Sequence, residues 1–341
     1  MHKMMTLLPL ALVVLLLCPE SIICRQQRSI PEMLDELQRR IRTDPYFPAF
    51  HVRPERNWNN DPNGPMRMRS KQGGAAHLWM QFNPDEAVWG NMSWWHAVSP
   101  DGLVHWTPVG VSLYNDAPYD SDGVFSGSVT LDGGVPVIGY TCVSPDKGEL
   151  QCLAFPKNVS DPLLREWSKD PANPIIDHHP TGEVGGNFRD PTTAWRGDSV
   201  PPLQQDQSDT WHFATGLSLA SNSNAPAIAS VVLWSNPHLR PNGSQWTQDA
   251  ILFQDSSELS RMFECPDFFK TGSNHTGDGY VLKVSCELLK MDYFRVGSYD
   301  KTTRTFIPST QAARYDYGSW YASKSFYDPV SGRRILWGWI P

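Results

Sequence analysis

The chain has 341 residues and a formal net charge of −7, a length that admits one large domain or two ordinary ones. Hydrophobic residues make up 40% and charged residues only 19%, a balance that supports a core and excludes intrinsic disorder. The 29 Pro and 25 Gly follow no G-X-Y period, so collagen is excluded, and an acidic chain without a basic run argues against a nucleic-acid partner. Its 14 Trp exceed what a core needs and suit cross-strand aromatic pairs or a surface that stacks flat ligands.

Residues 1–24 read as a secretory signal: Lys3 is the charged start, Leu7 to Leu17 the apolar run, and Ser21 to Cys24 offer small residues for cleavage. The apolar run is too short to span a bilayer, which takes about 20 residues, and no later segment is long and apolar enough. Residues 30–42 carry a short helical period and, within a lead-in over 25–49, are expected to be mobile. From about Phe50 onward the text is β, with apolar runs such as AAHLWMQF, VPVIGYTC, ASVVLWS, GYVLKVS and RRILWGWI between Gly, Pro, Asn and Asp turns. No long amphipathic helix interrupts it, which excludes α/β barrels and doubly wound sheets.

Of six Cys, Cys18 and Cys24 lie in the signal, and the remaining four are too few for a disulfide framework. Cys142 and Cys152 flank Asp146-Lys147-Gly148. A three-residue hairpin loop with Gly148 left-handed would set them opposite each other, so a cross-strand disulfide is one outcome and two thiols the other. Cys265 and Cys286 have no evident partner, and no spacing resembles a zinc or other metal site. Sequons stand at Asn91, Asn158, Asn242 and Asn274. Asn91 lies in a Trp-rich strand and is set aside; the other three are expected glycan carriers.

A coarse repeat runs through the β region. A turn followed by an aromatic residue closes segments at Trp106, Trp167, Trp246 and, more loosely, Phe306. A polar phrase opens the same segments: NNDPNG with Asp61, FSGS with Ser126, FRDP with Asp190, FECPDF with Glu264, and YDYGS with Asp316. Five openings and four closings fit a five-bladed β-propeller with its fifth blade unfinished; an irregular β-sandwich is the competing reading. If each opening begins an innermost strand, the polar phrases converge on one funnel.

Three openings carry carboxylates in distinct settings. Asp61 sits in a turn fixed by Pro62 and Gly64, where Asn amides would keep it ionised, as suits a nucleophile. Glu264 lies between Phe263 and Cys265-Pro266, where desolvation would raise its pKa, as suits a general acid. Arg189 would hold Asp190 charged. Two carboxyl groups pushed apart in this way are the acid/base pair of a glycosidase, although each phrase taken singly is more often a plain turn or a surface ion pair.

The series NDPNG, FRDP, ECP and DYG, with QFNP, WGN, SGS, FPKNVSDPLLREW, YASKSFYD and RRILWGW, resembles glycoside hydrolase family 32, and more narrowly its plant-type acid invertases and fructan exohydrolases. The resemblance spans about Phe50 to Ile340. It implies an all-β five-bladed propeller over residues 50–341 and retaining β-fructosidase chemistry without a cofactor. It also implies a sucrose or fructan substrate and secretion to the apoplast or cell wall rather than the vacuole; Pro266 after Glu264-Cys265 looks like the cell-wall group. On this resemblance Asp61 is the nucleophile, Glu264 the acid/base and Asp190 the transition-state stabiliser, the first two carboxyls lying roughly 5–5.5 Å apart. Asn60, Gln81, Trp89, Ser126 and Arg189 line the fructose pocket, Trp58 lies at its rim, and Asp316 joins the substrate-binding set.

Departures from the family pattern matter as well. Phe125 stands where plant members usually carry Trp. Glu287 and Lys290 hold the spacing of an Asp–Lys pair that favours sucrose. The family continues past WGW, so the last blade is expected to be incomplete and the C-terminal β-sandwich absent. Three readings follow: a β-fructofuranosidase acting on sucrose, a fructan exohydrolase acting on inulin- or levan-type chains, and an inactive fructoside-binding propeller. No protein partner is indicated.

Overall fold

The computed structural model describes residues 28–68, 74–197, 210–220, 225–241, 246–256, 261–271 and 279–341. The signal stretch and the sequons at Asn242 and Asn274 lie outside them. The period over 30–42 forms a helix, α1 (Ile30–Thr43). Ser29 and Glu32 build a capping box in which the Glu32 carboxylate accepts the Ser29 N–H at 2.8 Å, and Pro31 stands in the first turn.

The rest is antiparallel sheet. The first sheet runs β1 (Asn59–Arg67), β2 (Ala76–Phe82), β3 (Ser93–Ser99) and β4 (Thr107–Leu113) in that order. The second runs β5 (Gly123–Asp132), β6 (Val135–Ser144), β7 (Gly148–Pro156) and β8 (Trp167–Lys169). In the third, β9 (Glu183–Arg189) and β10 (Trp195–Arg196) both pair with β11 (Trp211–Leu219), followed by β12 (Ile228–Asn236) and β13 (Thr247–Asp255). The fourth holds β14 (Phe263–Lys270), β15 (Tyr280–Cys286), β16 (Met291–Asp300) and β17 (Thr305–Pro308), with β18 (Ala313–Arg314) added to β16. A two-stranded sheet, β19 (Tyr321–Asp328) with β20 (Arg333–Trp339), comes last.

Among the described residues there are thus four multi-stranded blades and one strand pair. Their neighbours are fixed by contacts of β1 with β5, β5 with β9, β11 with β14, β14 with β19, and β19 with β1. The sheets stand around a common axis, as in a propeller, and not face to face as in a sandwich. Every residue of β2 and β3 is buried, including the polar His77, Gln81, Ser93, His96 and Ser99. Within the lead-in, the described residues place α1 against the first blade. α1 buries Met33 and packs on β4, because its one apolar stripe has a blade to rest on.

The closing aromatics all stand at the outer strand of a sheet: Trp106 immediately precedes β4, Trp167 opens β8, Trp246 immediately precedes β13 and Phe306 lies in β17. The indoles of Trp106 and Trp167 donate to the carbonyls of Leu103 and Leu164 at 3.3 and 2.8 Å, where the backbone turns left-handed. Each such corner turns the chain back onto its own sheet. Four openings lie on inner strands, but the fifth does not. Asp316 sits in the exposed loop before β19 and accepts the Gly318 N–H at 2.6 Å. Asp-Tyr-Gly makes a side-chain-capped turn there, and Tyr321 begins the strand instead.

Cys142 and Cys152 form a disulfide, with Cα atoms 5.9 Å apart. The hairpin loop sits one residue earlier than expected, which shifts each cross-strand pairing by two residues. Ser144 pairs with Gly148, so the loop is Pro145-Asp146-Lys147, and Cys142 faces Leu150. The bond therefore runs diagonally across the hairpin. Cys265 and Cys286 are free and buried.

Gly216 on β11 sets the distance between the third and fourth blades: a Cβ there would lie 1.8 Å from the Phe263 carbonyl oxygen. Gly216→Ala should therefore push β14 away and cost about 3 kcal/mol in chemical unfolding. Gly139→Ala, whose Cβ would meet nothing nearer than 3.8 Å, should cost far less. Equal midpoints for the two variants would refute the close approach.

Candidate active site

The inner strands share one irregularity at one end. The register slips between Asn59 and Pro62 in β1, Val124 and Gly127 in β5, Glu264 and Asp267 in β14, and Tyr321 and Lys324 in β19. In the third sheet the strand breaks after Arg189, and Asp190 takes a φ of 68°. A bulge re-aims the side chain it carries. Here the bulges and the break turn Asn60, Asp61, Phe125, Ser126, Asp190, Glu264 and Tyr321 into a single cleft of about 570 Å³, a size suited to a small molecule.

Gln81, Trp89, Arg189, Glu287 and Lys290 complete the walls as the sequence suggested, while Glu149, Trp339 and Pro341 join them unannounced. Trp58 stays behind the wall: its indole donates to Asn60 Oδ1 at 2.9 Å and its ring meets Trp339 edge-on at 6.0 Å. Trp89 is 60% exposed at the mouth, with its ring against Phe125 at 5.9 Å. Asp316 takes no part in the cleft, because its carboxylate is spent on its own turn. Asn158 stands exposed in a turn of its own.

Asp61 accepts hydrogen bonds from the Ser126 hydroxyl at 2.7 Å and the Asn60 amide at 2.9 Å. These donors do not keep it strongly acidic, contrary to the sequence reading. Burial outweighs them and, with the charges of Asp190 and Glu264 nearby, pushes its pKa up to about 6. Asp190 is likewise raised, because burial beats the adjacent Arg189. Its carboxylate accepts the Cys265 N–H at 2.7 Å, and its own N–H donates to Thr141 at 2.8 Å. Glu264 departs from expectation in the opposite sense. Burial would raise its pKa, but Arg189 at 2.7 Å, the Tyr321 hydroxyl and Lys290 together hold it below its ordinary value.

Arg189 binds three acceptors at once. One nitrogen, Nη1, reaches Glu149 at 3.0 and 3.2 Å and Asn187 at 2.9 Å; the other, Nη2, reaches Glu264. Beneath the cleft, the fully buried Lys283 pairs with Asp292 at 3.2 Å. It also donates to the carbonyls of Cys265 at 3.0 Å and Ser323 at 2.5 Å. It thereby ties the bulge that carries Glu264 to the bulge that carries Tyr321. Among the described residues no group of three or more His, Cys, Asp or Glu is placed to hold a metal ion, and no helix is long and apolar enough to cross a membrane.

The profile of the Glycosyl hydrolases family 32 N-terminal domain matches residues 51–341. The chain belongs to this family. It is 39% identical over 317 residues to a beta-fructofuranosidase, cell wall isozyme, of Pisum sativum, a match covering 87% of this chain and 53% of that protein. It is also 39% identical over 310 residues to acid beta-fructofuranosidase 1, vacuolar, of a Rosa hybrid cultivar, covering 86% and 48%. Fructan 1-exohydrolase IIa of Cichorium intybus, solved with 1-kestose, superposes with a TM-score of 0.73 at 34% identity over 85% of this chain and 53% of that one. The family 32 beta-fructofuranosidase of Bombyx mori, solved with sucrose, shares the fold with a TM-score of 0.68 at 24% identity, over 91% and 61%. This chain spans about half the length of the curated relatives it matches.

A buried carboxyl that holds its proton more tightly when folded favours the fold fully below its unfolded pKa, 3.8 for Asp61, and loses that advantage as pH rises through about 6. Asp61→Asn removes the ionisation. In urea unfolding it should stabilise the chain by about 2–3 kcal/mol near pH 8 and by almost nothing near pH 3.5. The same gain at both values would contradict the raised pKa.

Proposed function

We propose that this chain is the catalytic propeller of a retaining β-fructofuranosidase that releases terminal β-D-fructofuranosyl units from sucrose. The observation that carries the reading is the meeting of Asp61, Asp190 and Glu264 in one cleft, each delivered by the irregular end of a different blade's inner strand. The strand pair β19–β20 counts as the fifth blade, since β19 carries the same bulge as the other inner strands. Residues 1–24 act as a signal, 25–49 lead in, and 50–341 form the propeller. Delivery to the cell wall is supported by a relative named for that location and by others named insoluble isoenzymes.

In the reaction, Asp61 attacks the anomeric C2 and Glu264 protonates the leaving oxygen. Asp190 holds the fructose hydroxyls as charge develops, and water activated by Glu264 then releases fructose with retention. This needs Asp61 ionised and Glu264 protonated. Burial of Asp61 and the pull of Arg189 on Glu264 favour the reverse, with the proton on Asp61 and the charge on Glu264. The productive form is a tautomer of that same singly protonated pair. It exists only where the pair holds one proton, and the apparent pKa values belong to the pair.

The rate should therefore follow a bell. kcat/KM for sucrose falls as pH rises past about 6 and falls again below the ordinary Glu value of 4.5. A rate flat from about pH 4 to 8 would contradict this assignment. Glu264→Ala should lower kcat by about 10²–10⁴, and activity equal to the parent chain would remove Glu264 from the mechanism.

A second reading, a fructan exohydrolase, draws on a specific contact. Glu287 leans toward Arg189 at 3.9 Å, while the Lys290 ammonium lies over the Tyr321 ring at 5.1 Å. The acid–lysine pair that favours sucrose is not closed. Sugar release from sucrose, inulin and levan in parallel, with Asp61→Ala as blank, separates the readings. Equal glucose and fructose from sucrose is the expected result. Fructose from a polymer alone would favour the exohydrolase, and sucrose binding without turnover the inactive binding propeller.

A further inference from the structure

Glu149 belongs to none of the motifs in the sequence, yet it lines the cleft at the start of β7. Its side chain is 12% exposed. One carboxylate oxygen accepts the Phe188 N–H at 2.7 Å, and both accept from Arg189 Nη1 at 3.0 and 3.2 Å. The other end of that guanidinium, Nη2, reaches Glu264 at 2.7 Å. One buried cation is thus divided between two buried carboxylates. Resting on the fructosidase reading, we propose that Glu149 is a positioning residue that tempers the hold of Arg189 on the acid/base Glu264.

A carboxylate bonded to a guanidinium is kept ionised, whereas a general acid must arrive protonated. Arg189 with no second partner would favour the Glu264 anion across the working range. Glu149 opposes this in two ways. It anchors one edge of the guanidinium, so that only the other edge meets Glu264, and its own negative charge, which burial disfavours and Arg189 and the Phe188 N–H support, offsets part of the cation's field there.

The remaining groups around Glu264 act from other elements. Asp61 on β1 and Asp190 after β9 favour its proton, whereas Tyr321 on β19 and Lys290 in the turn before β16 favour its charge. Glu287 adds a more distant acid, 3.9 Å from Arg189. Below lie the buried cations Lys283 and Lys324 and the neighbouring thiol of Cys265. A substitution at Glu149 leaves all of these in place.

A purely structural Glu149 would serve only to seat the Phe188 N–H, a task an amide oxygen performs equally well. Glu149→Gln therefore separates the charge from the hydrogen bond. The readout is the side-chain carboxyl 13C titration of Glu264 in the full chain, its signal assigned with Glu264→Gln. The expected result is a Glu264 midpoint about one pH unit lower in Glu149→Gln, with Glu149→Asp falling between that variant and the parent. An unmoved midpoint in a variant that melts with the parent chain overturns the proposal. If Glu149→Gln does not fold, an unmoved midpoint in Glu149→Asp does so.

The titration needs no turnover, so a chain that releases no sugar fails the fructosidase reading and leaves this test intact. Where sucrose is cleaved, the acid limb of kcat/KM moves to lower pH in Glu149→Gln with KM little changed. A loss equal at every pH would also overturn the proposal.

Discussion

Negative charge is what the cleft has in excess. Asp61, Asp190, Glu264, Glu149 and Glu287 all border it, and burial disfavours the anions of Asp61, Asp190 and Glu149. Carboxylates gathered in a dry site either give up their charge or find a cation. Arg189 is the cation closest to hand, and its planar fork serves two carboxylates from opposite edges. The seating of Arg189 therefore decides which acid carries the proton. That seating depends on the second blade, because Glu149, Gln151 and Thr141 hold the backbone of Phe188 and Asp190 from below. A strand break at Asp190 is tolerated because the neighbouring blade takes up the freed polar groups.

The same logic explains how strands can deliver acids at all. A regular inner strand would alternate its side chains between the two flanking interfaces. The bulges on β1, β5, β14 and β19 break that alternation at one end and point adjacent residues toward the axis. Lys283 then locks two of them together through the carbonyls of Cys265 and Ser323. Position along the axis and the direction of the side chain are thereby fixed by backbone geometry rather than by loops.

Much of this was legible in the residues, and the gaps have physical causes. The turn-plus-Trp phrases and polar openings mark sheet corners and inner strands because both are local features. The indole-to-carbonyl bond and the Asx turn are each written within a few residues. Asp316 was misplaced for the same reason: a local turn signal does not say whether a strand starts before it or after it. The motif residues Asp61, Asp190, Glu264 and Arg189 came together as expected, yet the direction of each carboxylate's titration was misjudged. Sequence neighbours suggested donors for Asp61 and apolar surroundings for Glu264. Burial of Asp61, and a guanidinium reaching Glu264 across a blade boundary, reverse both. Glu149 and Tyr321 went unseen because nothing near them in the chain hints at Arg189 or Glu264, their partners from other blades.

The disulfide lies on the other side of this seat. Along β6 and β7, Thr141, Glu149 and Gln151 face Arg189 and Asp190, while Cys142 and Cys152 face the apolar core shared with the first blade. A one-residue slip of β7 against β6 would turn β7 over, sending Glu149 and Gln151 into that core and withdrawing the partners of Phe188 and Arg189. The covalent link forbids the slip. The cleft's geometry is thus tied to the redox chemistry of the place where the chain folds. Synthesised in a thiol-rich cytosol, the hairpin would have to keep its register by packing alone, whereas an oxidising secretory route supplies the clamp.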